Sequence, residues 1–304
     1  MATAAALSPA TPKRRRASAD KHGLALLTTP AIVWYGVFTI GPLIAMFVIA
    51  TLEWSGLVAE SEYVGAQNFV TMWADPVFWI AVRNTAIQLA VVLPILLVCS
   101  FMLGYYVSLK PRGHRLLRIL LFTPALISVS ARSMVFYAIF APTGLFNLTL
   151  ESIGLAELTR PWLATQETAL ATVMVVDLWG GIGFTAVLFG ARLAGIGSDV
   201  FEAAQLDGAG HWRRMWGVAF PITRDYFGVI LMLQFIWVLF SSAGSILLLT
   251  KGGPGNASTT ISFLVYDLAF TQTRIGYSQA VGVVLFALGI VGVVIIRRLF
   301  RPAV

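Results

Sequence analysis

The sequence predicts an all-α, polytopic membrane protein built from six spanning helices. Three observations predict it. Of the 304 residues, 58% are apolar and 12% are charged, where a soluble domain keeps about a quarter charged. The mean hydropathy is +0.82. The apolar runs are also long: they approach the ~20 residues that a ~30 Å hydrocarbon core demands and that outlast any strand.

The spans follow in order. The first covers residues 24–52 and is interrupted by Pro30 and by Gly41-Pro42. The second, 84–109, contains Pro94, and the third, 118–140, contains Pro124. The others cover 168–193, 227–249 and 277–296. Prolines are tolerated in spanning helices because neighbouring helices and Ser/Thr side chains re-satisfy the freed carbonyls. Residues 1–23, with the run Lys13-Arg14-Arg15-Arg16, read as a disordered basic cytosolic tail. Residues 24–304 then form one transmembrane domain. The first apolar run is too long for a signal-peptide core and lacks a small-residue cleavage site, so it is expected to stay as a helix.

Charge orients the bundle. Sixteen of the 21 Lys and Arg residues fall in the tail, the second-to-third loop, the fourth-to-fifth loop and the C-terminus. Arg83, Arg160, Lys251 and Arg274 fall on the other side, and Arg132 lies inside a span. Basic residues gather on the cytoplasmic side, so both termini are expected there. The same placement accounts for the net charge of +7 without a nucleic-acid partner. Cys99 is the only cysteine, which rules out a disulfide within the chain. His22, His114 and His211 match no metal-ligand spacing. Gly252-Gly253-Pro254-Gly255 follows Lys251 instead of leading into Gly-Lys-Ser/Thr, so it is no phosphate loop. No catalytic residue and no metal or cofactor site of its own is expected.

The loop over 194–226 is the most informative stretch. Asp199 to Glu202 has capping-box spacing, so a short helix should begin there. It should break at Asp207-Gly208, a strong turn pair. Trp212, Met215, Trp216 and Ala219 then recur at i, i+3, i+4 and i+7, an apolar helical stripe, and Phe220-Pro221 closes the second helix. Both tryptophans are expected to pack on the bundle. The product is a small, rigid cytosolic knob.

Glu202-Ala203-Ala204-Gln205-Leu206-Asp207-Gly208-Ala209, followed by Trp212, Val218, Phe220 and Pro221, resembles the EAA loop of the type I ATP-binding-cassette importer permeases. Gly65-Ala66-Gln67-Asn68-Phe69, Asp75-Pro76, Asn84-Thr85 and the 252–259 segment are similar to the sugar and glycerol-phosphate branch of that family. The resemblance covers about residues 24–300 and implies a MetI-like bundle in a bacterial inner membrane. It also implies that Glu202, Ala203, Ala204, Asp207, Gly208 and Ala209 couple the bundle to a separate ATPase. The implied partners are a second, similar permease, two ATPase subunits carrying ATP and Mg, an extracytoplasmic solute-binding protein and the lipid bilayer. The solute would be a sugar, an oligosaccharide or a polyol phosphate, moved by alternating access.

Arg132 and Asp177 are the charges set within the spans. Arg132 lies ~20 Å along the third span from its cytosolic end and Asp177 ~14 Å along the fourth from its outer end, at 1.5 Å per residue. Those depths nearly coincide in a ~30 Å core. A structural ion pair and a place on the solute path are both open readings. A secondary transporter is the alternative from another class, but no inverted repeat is evident. An intramembrane enzyme would need a catalytic set that two charges do not make.

Overall fold

A computed structural model describes residues 28–56 and 59–300. The tail expected over residues 1–23 and Arg301 lie outside the described residues. Among the described residues, those up to Val48 form one compact unit and those from Ile49 onward another.

The first unit carries α1 (Thr28–Ile49) as far as Val48. Pro42 has no N–H to return to the carbonyl four residues back. Ahead of it the helix widens into a π turn at Gly36–Ile40, closed by the Gly41 N–H on the Gly36 oxygen. The interruption expected at Gly41-Pro42 is therefore a widened turn, and the helix continues through it.

The second unit opens on a two-strand ribbon, β1 (Leu52–Glu53) against β2 (Glu62–Tyr63), antiparallel, with Leu52 opposite Tyr63. Helix α2 (Gln67–Ala74) follows, then α3 (Pro76–Ser108). The start of α3 lies well before the expected residue 84. Asp75 Oδ1 accepts the Val77 N–H at 2.8 Å and Pro76 fills the first helical position, a combination that starts helices strongly.

The expected third span is divided between α4 (His114–Leu126) and α5 (Val129–Phe140). Pro124 donates no hydrogen bond in the last turn of α4, and Ile127 turns extended. Ser128 Oγ then accepts the Ala131 N–H at 3.2 Å and starts a new helix. After a turn at 141–144 comes α6 (Leu145–Ser152). Helices α7 (Ala169–Leu193), α8 (Ser198–Leu206), α9 (211–222), α10 (Arg224–Leu249), α11 (Ile261–Thr271) and α12 (Ile275–Leu299) complete the chain. Among the described residues, 6 helical stretches are long and apolar enough to cross a membrane, the third being Val129–Ser152. Helix α11 falls in an expected loop. Its Ile261, Phe263 and Leu264 are buried, and it is too short to span.

Close backbone approach sets the centre of the second unit. A Cβ on Gly104 of α3 would lie 2.7 Å from the Ala186 carbonyl and 2.8 Å from Phe189 Cβ on α7. Gly183 of α7 abuts the Leu121 carbonyl of α4 in the same way. In a bilayer, lipid tails are as apolar as leucine, so such close packing takes the place of the hydrophobic drive. One core cluster, around Phe101, Phe189, Leu193, Met215 and Ile230, lies under the α8–α9 hairpin. A second, around Met72, Phe78, Leu239, Leu264 and Tyr277, joins α2, α3, α10, α11 and α12.

Candidate functional site: a coupling hairpin and a buried polar seam

The α8–α9 hairpin is rigid at its turn and anchored at its base. Gly208 sits at φ +78°, a conformation that glycine adopts at no steric cost. The Gly208 N–H reaches the Gln205 oxygen at 3.0 Å and the Ala209 N–H the Ala204 oxygen at 2.9 Å. These are the two bonds of a Schellman cap. Arg214 Nη1 donates to Gln205 Oε1 at 3.1 Å and ties α9 to α8. At the base, the Phe101 ring lies 5.4 Å from Trp216 and 5.9 Å from Phe220, centroid to centroid.

Three expectations here need correction. The N-cap of α8 is Gly197 without a side-chain bond, so the Asp199–Glu202 capping box does not form. The glycine lets the helix start earlier and places Asp199 inside the first turn, where a carboxylate suits the helix dipole. Helix α9 also runs past Phe220-Pro221 to Ile222 through a π turn at Met215–Ala219. In that wider turn Met215 and Ala219 share the buried face, and Trp212 is left 64% exposed instead of packing on the bundle.

The hairpin's outer surface is open. Glu202, Ala203, Asp207 and Gly208 are exposed, Ala204 is half-buried, Ala209 is buried, and Leu206 is 89% exposed. Glu202 makes no ion pair among the described residues. It borders a hollow of about 410 Å³ with Lys110 and Arg214.

The second feature is a seam of polar side chains through the spans. Arg132 on α5 and Asp177 on α7 meet with Nη2 3.9 Å from Oδ1, both almost wholly buried. Asp177 is well held: Ser245 Oγ donates to Oδ1 at 2.6 Å and Gln88 Nε2 to Oδ2 at 3.2 Å. Arg132 is not, because its Nε and Nη2 have no hydrogen-bond partner. Gly180 makes the room, since a Cβ there would overlap the guanidinium. Beside the pair lies a hollow of about 590 Å³ lined by Arg132, Gly180, Gly181, Phe184, Gln234 and Trp237. Gln234 Nε2 donates to Thr185 Oγ1 at 2.9 Å.

At the far end of α3, Asn84 Nδ2 donates to the carbonyls of Asn256, Ala257 and Thr259 at 3.2, 3.0 and 2.9 Å. Thr85 Oγ1 accepts the Ile261 N–H at 3.0 Å. One helix turn thus clamps the glycine-rich 252–260 segment.

Sequence reasoning placed the hairpin residues and paired the depths of Arg132 and Asp177. It missed Gln88, Ser245, Gly180, Gln234 and Trp237. A glycine pair in a span, Gly180-Gly181, was the available signal for a close approach.

The profile of the family described as "Binding-protein-dependent transport system inner membrane component" matches residues 100–304. The chain is 31% identical to "Probable ABC transporter permease protein YurN" of Bacillus subtilis, covering 85% of this chain and 89% of that one. It is 30% identical to "Diacetylchitobiose uptake system permease protein NgcF" of Streptomyces coelicolor, over 92% of this chain and 83% of that one. Among solved structures it superposes on a chain of a bacterial ABC transporter involved in import of the acidic polysaccharide alginate. The TM-score is 0.82 at 21% identity, over 94% of this chain and 97% of that chain, a likeness of fold.

Proposed function

This chain belongs to the binding-protein-dependent transport system inner membrane components, and from that premise we propose that it passes a carbohydrate across the membrane by alternating access. It is a multi-pass transport subunit, and the ATPase resides on a separate chain. The hairpin carries the proposal. Its tip exposes Glu202 and Leu206, its turn is locked by the Gly208 cap, and its base is seated on Phe101. A knob that is rigid, open outward and packed inward transmits a partner's movement to α3, α7 and α10 as a unit. Glu202 is placed to pair with a cation on that partner.

The working assembly in this reading holds a second, similar permease, two ATPase subunits with ATP and Mg²⁺, and an extracytoplasmic solute-binding protein. Both termini and the hairpin face the cytoplasm. Cysteines at Gly210 and Ser61 should label from opposite faces, Gly210 from the cytoplasmic one, and outside labelling at Gly210 would refute that orientation.

The solute passes beside Trp237 and Gln234. An aromatic face and an amide in one hollow suit a saccharide, which offers an apolar ring face and hydroxyl groups. The relative named for diacetylchitobiose uptake supports this class. The cognate solute-binding protein, melted against a panel of neutral, acidic and phosphorylated saccharides, amino acids and peptides, tests it. A saccharide should raise its melting temperature by several degrees, as a tight ligand does. Stabilisation by an amino acid or peptide alone would overturn the assignment.

A further inference from the structure

The turn joining α3 to α4 encloses another hollow, of about 360 Å³, that the transport path does not use. Lys110, His114, Arg115 and Arg118 line it, and no carboxylate does. None of the four makes an ion pair among the described residues. Like charges gathered this way repel one another unless an anion lies among them.

The backbone holds the cluster in place. Lys110 sits at φ +51°, a left-handed conformation uncommon for a residue with a side chain and often retained where it serves a site. Its N–H bonds the Val107 carbonyl at 3.1 Å, and the His114 N–H bonds the Pro111 carbonyl at 3.0 Å. Gly113, at φ +82°, then starts α4.

What leads away from the cations is apolar. Val107, Ile119 and Ala194 supply the rest of the wall together with Ser108, whose hydroxyl is turned to the Tyr105 carbonyl at 2.7 Å. Along α4, Leu116, Ile119 and Leu120 are 62%, 63% and 61% exposed and stand at i, i+3 and i+4, one stripe of the helix. An occupant with an anionic head and an apolar tail in line fits both parts. Free phosphate would answer only the cations and leave the stripe bare.

We propose that this hollow binds the phosphate of an anionic membrane phospholipid, with its acyl chains lying along Leu116, Ile119 and Leu120. Basic pockets between spanning helices on the cytoplasmic side hold lipid head groups by this chemistry. Lys110 and Ala194 also border the hollow beside Glu202 and Arg214, so the bound lipid buttresses the hairpin's root. The proposal needs the chain to lie in a membrane but does not need the hairpin to couple to an ATPase, so its failure would leave that role standing.

The test uses the complete complex, purified in detergent, stripped of lipid and titrated with phosphatidylglycerol. Wild type should bind it at least about tenfold more tightly than phosphatidylcholine, with affinity falling as salt rises. Arg115→Gln with Arg118→Gln should lower that affinity about tenfold or more, while Arg298→Gln, outside the hollow, should not. Arg115→Lys with Arg118→Lys keeps the charges and should retain binding, which guards against a variant that merely fails to fold. Unchanged affinity in the glutamine pair would overturn the site. Displacement by millimolar inorganic phosphate would make it a free-anion site and overturn the lipid assignment. Loss of the ATPase subunits with lipid binding intact would make it a protein interface instead.

Discussion

Asp177→Asn and Arg132→Gln, made singly, should each sharply lower the yield of folded protein in detergent, and the double variant should recover most of it. The pair is almost wholly buried. Removing one member strands the other in low dielectric, which costs about 3–5 kcal/mol, while removing both costs far less. The local bonding sharpens the expectation. In Asp177→Asn the new amide oxygen could still accept from Ser245, and Gln88, whose Oε1 has no partner, would turn its amide to accept from the new nitrogen, so the cost falls on Arg132. Arg132, already lacking partners at Nε and Nη2, would lose the one counter-charge it has among the described residues. Melting temperature and yield of the three variants decide the matter. Losses that add in the double variant would remove the pairing. Normal yields with uptake lost in every variant would place the two charges on the solute instead.

The second large effect belongs to the hairpin. Glu202→Lys or Gly208→Pro should leave the chain in the membrane at its normal level and remove solute-stimulated ATP hydrolysis by the assembled complex. Proline fixes φ near −65° where Gly208 requires +78°, and it deletes the N–H that bonds Gln205. The turn would open and Leu206 would move. Glu202 is exposed and free of any ion pair among the described residues, so its reversal breaks no bond among them, although it sets a third cation on the rim it shares with Lys110 and Arg214. Its large effect falls at the proposed interface, where like charges juxtaposed across a contact cost several kcal/mol. Stimulated hydrolysis should fall to the basal rate. Normal stimulation by either variant, at normal subunit stoichiometry, would remove the coupling role.

Features set by local chemistry were legible in the sequence. Apolar runs announce spans because the bilayer fixes their length. The depths of Arg132 and Asp177 could be matched because helical rise is constant, and the structure brings the two within 3.9 Å. Asp207-Gly208 marked its turn because only a few residues tolerate a positive φ. Boundaries were less legible. The Asp75-Pro76 start of α3 is a plain helix signal, yet the polar residues around it masked it beside the apolar run further on. Pro124 announced trouble in the third span, but Ser128, by capping a new helix, decided where the break falls. Helix α11 was hidden because a short apolar stretch cannot be told from a loop by periodicity alone. What stayed out of reach depends on distant partners. Nothing near Asn84 signals that its amide will hold carbonyls 172 to 175 residues away. Nor does anything near Gln234 or Trp237 show that they will face Arg132 across one hollow.

The central claim is that this chain carries a saccharide inward on the power of a partner's ATP. Uptake into proteoliposomes tests it most directly. The complex would be reconstituted with its solute-binding protein outside, a radiolabelled saccharide chosen from the melting panel, and ATP and Mg²⁺ sealed within or left out. Accumulation should require internal ATP, survive ionophores that collapse proton and sodium gradients, and vanish with Glu202→Lys. Accumulation that proceeds without ATP and stops when the ion gradients are collapsed would contradict the account.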